Sequence, residues 1–97
     1  MLLLEFDIHM LELVSDDHQS VATIRSSTEV PAGEAKVVDA LFRLGRLGLV
    51  QSFNYDKKTR SYTTVPTPHE EEALSYWFLA TESGRQHVEK HDERPFG

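Results

Sequence analysis

Residues 31–50, PAGEAKVVDALFRLGRLGLV, contain the pattern around which the rest of the chain is organised. At 100° per residue, the large apolar side chains of this stretch fall on one side of a helix and the charged ones on the other. The apolar side comprises Val37, Ala40, Leu41, Leu44 and Leu47, and the charged side comprises Lys36, Asp39, Arg43 and Arg46. This spacing predicts an amphipathic helix over residues 32–47 with its apolar stripe packed inward.

Residues that favour chain turns flank this helix. Pro31 and Gly33 favour a tight entry, and Gly48 stands where a helix stop is expected. Beyond that glycine, residues 49–55 are rich in β-branched and aromatic side chains, which favours a strand. The helix is therefore predicted to lead directly into a sheet.

The residues after this strand predict a β-hairpin. A second apolar and aromatic run, residues 61–65, follows the polar and basic tip DKKTR at 56–60. Two prolines and an acidic run then predict a loop over residues 66–72. The aromatic segment LSYWFL, residues 74–79, is predicted to return to the sheet as a strand.

Two further helices are predicted before residue 31. Residues 2–14 show helical apolar spacing, although Leu4, Phe6, Ile8 and Met10 also alternate as in a strand, so the first few residues fit either structure. A polar break at 15–19 precedes a short helix over residues 20–28, which Asp17 or Ser20 caps. Its inward residues are predicted to be Val21, Ala22 and Ile24.

A last helix is predicted over residues 81–91, with Thr81 or Ser83 as its cap and Val88 pointing inward. The chain of 97 residues is of single-domain size, and we assign residues 1–97 to one domain. With 39% apolar and 27% charged residues, it has the composition of a folded protein.

The composition also excludes several classes of protein. The chain has no cysteine, which excludes disulfides and cysteine-based zinc sites. No apolar run approaches the ~20 residues of a membrane span. The first ten residues carry acids and no basic segment, which argues against a signal peptide. We therefore expect a cytoplasmic protein without membrane partners.

Charge is unevenly distributed along the chain. The net charge of −6 argues against nucleic-acid binding. However, residues 33–60 hold six bases and three acids, whereas both flanking segments are acidic. The positive charge is thus concentrated on the central helix and the hairpin that follows it.

Two motifs in this order of elements resemble the winged helix-turn-helix proteins of bacteria and archaea. LFRLGRLGLV (41–50) resembles the exit of their recognition helix, and FLATESGRQHVE (78–89) resembles the step from the last strand to a helix, with Ala80 as an extra residue. The resemblance implies an α+β fold: a winged helix-turn-helix with a three-helix core, wing strands and loop over residues 49–79, and a C-terminal helix.

The resemblance further implies binding to double-stranded DNA, and we expect a transcriptional regulator. We also expect a homodimer, because one small recognition helix with few bases gives little affinity alone and the helix over residues 2–14 carries spare apolar surface. Helix 32–46 would enter the major groove, and the hairpin tip would contact a phosphate or the minor groove. The nucleic-acid-binding residues are then Lys36, Arg43, Arg46, Lys57, Lys58 and Arg60. Asp39 opposes this role unless it pairs with Lys36 or Arg43. The alternative is an acidic winged-helix module that binds a protein partner without contacting DNA.

No catalytic site, cofactor or metal site is predicted. His87 and His91 are four residues apart, but HVEKH matches neither orientation of the zinc-peptidase motif, since Glu89 is misplaced. The serines lack the glycine context of a nucleophile elbow, and no glycine-rich phosphate loop is present. The sequence therefore indicates a protein that is not an enzyme.

Overall fold

The computed structural model describes residues 3–28 and 32–92, and within these ranges it is a small α+β domain. Its four α-helices, one 3₁₀ helix and four strands are α1 (Glu5–Leu13), β1 (Gln19–Ser20), α2 (Val21–Ser27), α3 (Glu34–Arg46), β2 (Val50–Asp56), β3 (Ser61–Thr64), the 3₁₀ helix (Glu70–Ser75), β4 (Trp77–Ala80) and α4 (Glu82–Asp92). In this part of the chain, no helix is both long and apolar enough to cross a membrane.

Helix α3 lies against the core with the predicted stripe. Val37, Leu41 and Leu44 are fully buried, and Ala40 is buried beside them. The helix ends before Gly48, whose φ of 76° lies in the left-handed region that glycine adopts without strain. The inward prediction for Leu47 is wrong: it is 40% exposed, because it follows the last helical residue and its side chain leaves the stripe. Pro31 lies outside the described residues.

The first two helices largely follow the sequence patterns. Helix α1 begins at Glu5 after an extended Leu4, so the helical alternative holds from that residue on; residue 2 lies outside the described ranges. Ser20 caps α2, since its Oγ accepts the backbone N–H of Thr23 at 3.2 Å. The inward prediction for Ala22 is wrong. It is exposed, because this seven-residue helix buries one narrow stripe, formed by Val21 and Ile24.

The antiparallel sheet has the strand order β1-β4-β2-β3. Strand β2 serves two partners: Val50–Phe53 pair with β4, and Phe53–Asp56 pair with β3. The short strand β1, which the sequence did not predict, pairs with β4. Side chains alternate between the helix-covered face and the outer face, and the buried ones are Val50, Ser52, Phe78 and Ala80.

The segment before β4 departs from the prediction. The predicted loop contains the start of the 3₁₀ helix, and the predicted strand 74–79 begins only at Trp77. The buried Tyr76 explains this, because its hydroxyl donates to Glu72 Oε2 at 3.0 Å and accepts the N–H of His69 at 3.1 Å. These bonds, together with burial of Ala73, close the segment into a helical turn.

Thr81, rather than Ser83, caps α4. Its Oγ1 accepts the N–H of Gly84 at 3.1 Å and donates to the carbonyl of Gly48 at 2.7 Å. A single side chain thus joins the start of α4 to the turn between α3 and β2. Val88 packs against the core as predicted.

Candidate nucleic-acid interface

The tip of the β2–β3 hairpin is an exposed group of cations. The carboxylate of Asp56, the acidic residue of the tip, accepts the N–H of Lys58 at 2.8 Å, and this hydrogen bond stabilises the turn. Lys57, Lys58 and Arg60 are exposed, and among the described residues none of them forms an ion pair. Arg60 has a φ of 53°, a conformation that non-glycine residues rarely adopt. The turn therefore presents three positive charges to solvent within four residues.

Arg43 occupies a different position from the one that the helical pattern predicts. Its Nη2 and Nε donate to Asp7 on α1 at 2.5 and 3.2 Å, and its Nη1 donates to Asp39 at 2.8 Å. These hydrogen bonds, that to Asp7 foremost, raise the pKa of the guanidinium above its ordinary value. Arg43 lies between α1 and α3 instead of on a free outward face, because the buried carboxylate of Asp7 requires a partner.

The other two candidate cations of α3 are exposed but engaged. Lys36 Nζ lies 4.5 Å from the centre of the Phe6 ring. Arg46 Nη1 lies 3.6 Å from Glu70 Oε1 on the 3₁₀ helix. Since Asp39 pairs with Arg43, positive and negative groups alternate along this side of α3. The helix presents no continuous positive stripe, in contrast to the hairpin tip.

The outer face of the sheet carries a feature that sequence reasoning missed. His18, Phe53, Tyr55, Tyr62 and Trp77 form a group of rings in mutual contact, which we call the aromatic surface. From the sequence alone, Trp77 and its neighbours Tyr76 and Phe78 are expected to form core and sheet surface rather than a base-stacking platform. Alternation of Phe53 and Tyr55 along β2 was the available signal, but the contacts with Tyr62 and Trp77 depend on strand pairing.

A cavity of about 420 Å³ lies between α3, β2 and the segment 65–70. Its wall combines apolar residues, among them Leu41, Phe42 and Val50, with polar ones such as Gln51 and Ser52. The two charged groups of the wall, Arg46 and Glu70, pair with each other. The cavity therefore offers space for a small molecule but no unpaired charge that selects one.

Within residues 3–28 and 32–92, no group of three or more histidines and carboxylates is placed to hold a metal ion. His87 is described, whereas the side chain of His91 lies outside the described residues. No family model, curated protein or solved structure matches this chain.

Proposed function

We propose that this chain is a winged-helix DNA-binding protein, a transcriptional regulator that contacts duplex phosphates chiefly through its hairpin tip. The order of elements supports this proposal. Helices α2 and α3 are separated only by residues 28–33, and α3 leads through Gly48 into the hairpin. Strand β4 then returns between β1 and β2, as a wing strand does beside a three-helix core.

The observation that carries the proposal is the cationic tip. A cation that no carboxylate neutralises can displace counterions from DNA without first breaking an ion pair. Lys57, Lys58 and Arg60 meet this condition among the described residues, whereas Arg43 and Arg46 are held by acids. We therefore assign phosphate contacts to the hairpin and a supporting contact to Lys36. We assign Arg43 a structural role instead of a DNA contact, because its hydrogen bonds to Asp7 connect α3 to α1.

The proposal includes a homodimer. Three phosphate contacts per copy give modest affinity, and two copies on one duplex add their contacts. The start of helix α1 and the two residues before it offer a surface for this association, because Leu4 is 62% exposed and Leu3 and Phe6 are only partly buried.

The first test is binding to random duplex DNA by fluorescence anisotropy at about 50 and 200 mM salt. With three phosphates neutralised by each hairpin tip, affinity is expected to fall ~40-fold between these salts for a single copy, and on the order of 10³-fold for a dimer that places both tips on the duplex. The double substitution Lys57→Gln/Lys58→Gln leaves one tip contact per copy, so its affinity should be lower and fall only about fourfold for a single copy or about tenfold for the dimer. Arg60 is retained because its unusual φ makes a substitution there harder to interpret.

The matched control is Arg85→Gln/Lys90→Gln, which removes two positive charges from α4. It should keep the salt dependence of the wild type, because long-range charge alone does not create phosphate contacts. Equal losses in the two variants would show a general charge effect and contradict the hairpin assignment. Absence of duplex binding by the folded wild type at about 50 mM salt would reject the proposed function.

The second candidate is an acidic module that binds a protein partner. The observation that favours it is the pairing of α3 cations with Asp7, Asp39 and Glu70, in a chain of net charge −6. A folded protein that binds no duplex at low salt would support this candidate over the first.

A further inference from the structure

We propose that the aromatic surface binds single-stranded DNA, with bases stacked on Tyr55 and Tyr62 and the adjoining phosphates on the hairpin cations. The inference rests on the proposed function in one respect, since both use the cationic tip. It goes beyond that function because the paired bases of a duplex are not available to these rings.

Tyr55 and Tyr62 are the exposed part of the aromatic surface. They are opposite each other in the β2–β3 pairing, their ring centres lie 4.9 Å apart, and each residue is 37% exposed. Exposed tyrosine rings on a sheet provide apolar faces that any base can stack against. The tyrosine pair therefore offers a stacking site that accepts any base, whatever the nucleotide sequence.

Neighbouring rings hold the tyrosine pair in position. Trp77 contacts both, with its ring centre 6.0 Å from that of Tyr55 and 5.9 Å from that of Tyr62. The His18 ring stacks parallel to Tyr62 at 3.7 Å and covers one of its faces. Because the rings are supported from the sheet, a base would meet a surface that needs little ordering on binding.

The charges around the tyrosine pair favour a nucleic acid over an apolar protein partner. Lys57 follows Tyr55 by two residues, and Arg60 precedes Tyr62 by two, so both cations lie in the short turn that joins the two strands next to the rings. Two acids border the rings as well: Asp56, which accepts the N–H of Lys58, and Asp17, whose Oδ1 lies 3.7 Å from Nδ1 of His18. The three cations of the hairpin tip outnumber them. Aromatic rings beside free cations are the combination that single-stranded nucleic acids require: base stacking plus phosphate neutralisation.

The test compares an oligothymidylate of about 15 nucleotides with a random duplex, both by fluorescence anisotropy at about 50 mM salt. The variant Tyr55→Leu/Tyr62→Leu keeps apolar bulk and removes the stacking faces. It should lose about tenfold or more in affinity for the single strand and keep its affinity for the duplex. Lys57→Gln/Lys58→Gln should weaken binding of both, because phosphates are common to them.

Two further measurements separate stacking from structural damage. Leu74→Ala removes an exposed apolar side chain of the 3₁₀ helix, outside both the aromatic surface and the proposed dimer surface, and should leave both affinities unchanged. Oligothymidylate should quench the fluorescence of Trp77, the single tryptophan, because bases would stack beside its ring. Circular dichroism of each variant confirms that it is folded.

The possible outcomes distinguish failure of this inference from failure of the proposed function. Duplex binding without single-strand binding overturns this inference and leaves the proposed function standing, whereas absence of both overturns both. Wild-type single-strand affinity in the tyrosine variant also overturns the inference. So does a wild-type dimer that becomes monomeric in that variant, with binding unchanged, because a second copy then covers the aromatic surface.

Discussion

Gly84→Ala is expected to destabilise the domain by about 3 kcal/mol or more, which is a large part of the stability of a small domain. A Cβ at this position would lie 2.1 Å from the carbonyl oxygen of Leu49 and 3.0 Å from Cδ1 of Leu11. The Leu49 carbonyl cannot easily move, because it also accepts the N–H of Thr81 at 2.9 Å. Accommodating the methyl group therefore requires α4 to shift away from the core.

Urea unfolding of Gly84→Ala and Gly45→Ala measures this effect against a matched control. Gly45 lies within α3 and is exposed to solvent. The nearest atom to a Cβ added there is the carbonyl oxygen of Val50 at 3.7 Å, which is an ordinary van der Waals distance. Alanine there should stabilise the protein by about 0.5–1 kcal/mol through its higher helix propensity. A cost below about 1 kcal/mol for Gly84→Ala would contradict the close approach of α4 to Leu49.

Arg43→Met is the second substitution with a large expected effect. It removes the cation that pairs with Asp7 and leaves a carboxylate that is 2% exposed without a charged partner. Breaking a buried pair in this way costs about 3–5 kcal/mol. We expect the lower end of that range, because the Arg43 side chain is 35% exposed and water can approach the vacated space.

Arg46→Met provides the control for this prediction on the same helix. Arg46 pairs with Glu70 at 3.6 Å, but both side chains are exposed, so loss of the pair should cost at most about 1 kcal/mol. The two free energies of unfolding are compared in urea at neutral pH. Similar values would show that Asp7 does not depend on Arg43.

Local sequence patterns predicted α3 well because its information lies within the helix itself. Apolar spacing marks its buried side, and Gly48 marks its end. The error at Leu47 arose because the helical period was extended one residue past that end. The 3₁₀ helix was missed for a related reason: its stabilising contact, from Tyr76 to Glu72, leaves no periodic signal.

Contacts between distant parts of the chain account for what the sequence did not predict at the candidate site. The basic composition of the hairpin tip is local and was predicted. Asp7 and Arg43 are 36 positions apart. A helical projection of either segment shows that the residue is charged but not that the two side chains pair. The aromatic surface likewise depends on the register that places Tyr62 opposite Tyr55 and Trp77 opposite Phe53.

Strand β2 pairs with β4 in its first half and with β3 in its second half, so the length of the hairpin beyond the sheet is independent of the packing of the core. Up to Phe53 the strand is paired with β4 above the core, and beyond it only β3 accompanies it. Cross-strand pairs of residues inserted on the turn side of the Asn54–Thr63 pair would lengthen the hairpin without entering the core. Natural variation can therefore change how far the basic turn extends from the sheet while the buried residues stay unchanged. The outer part of the hairpin and the core can thus evolve independently.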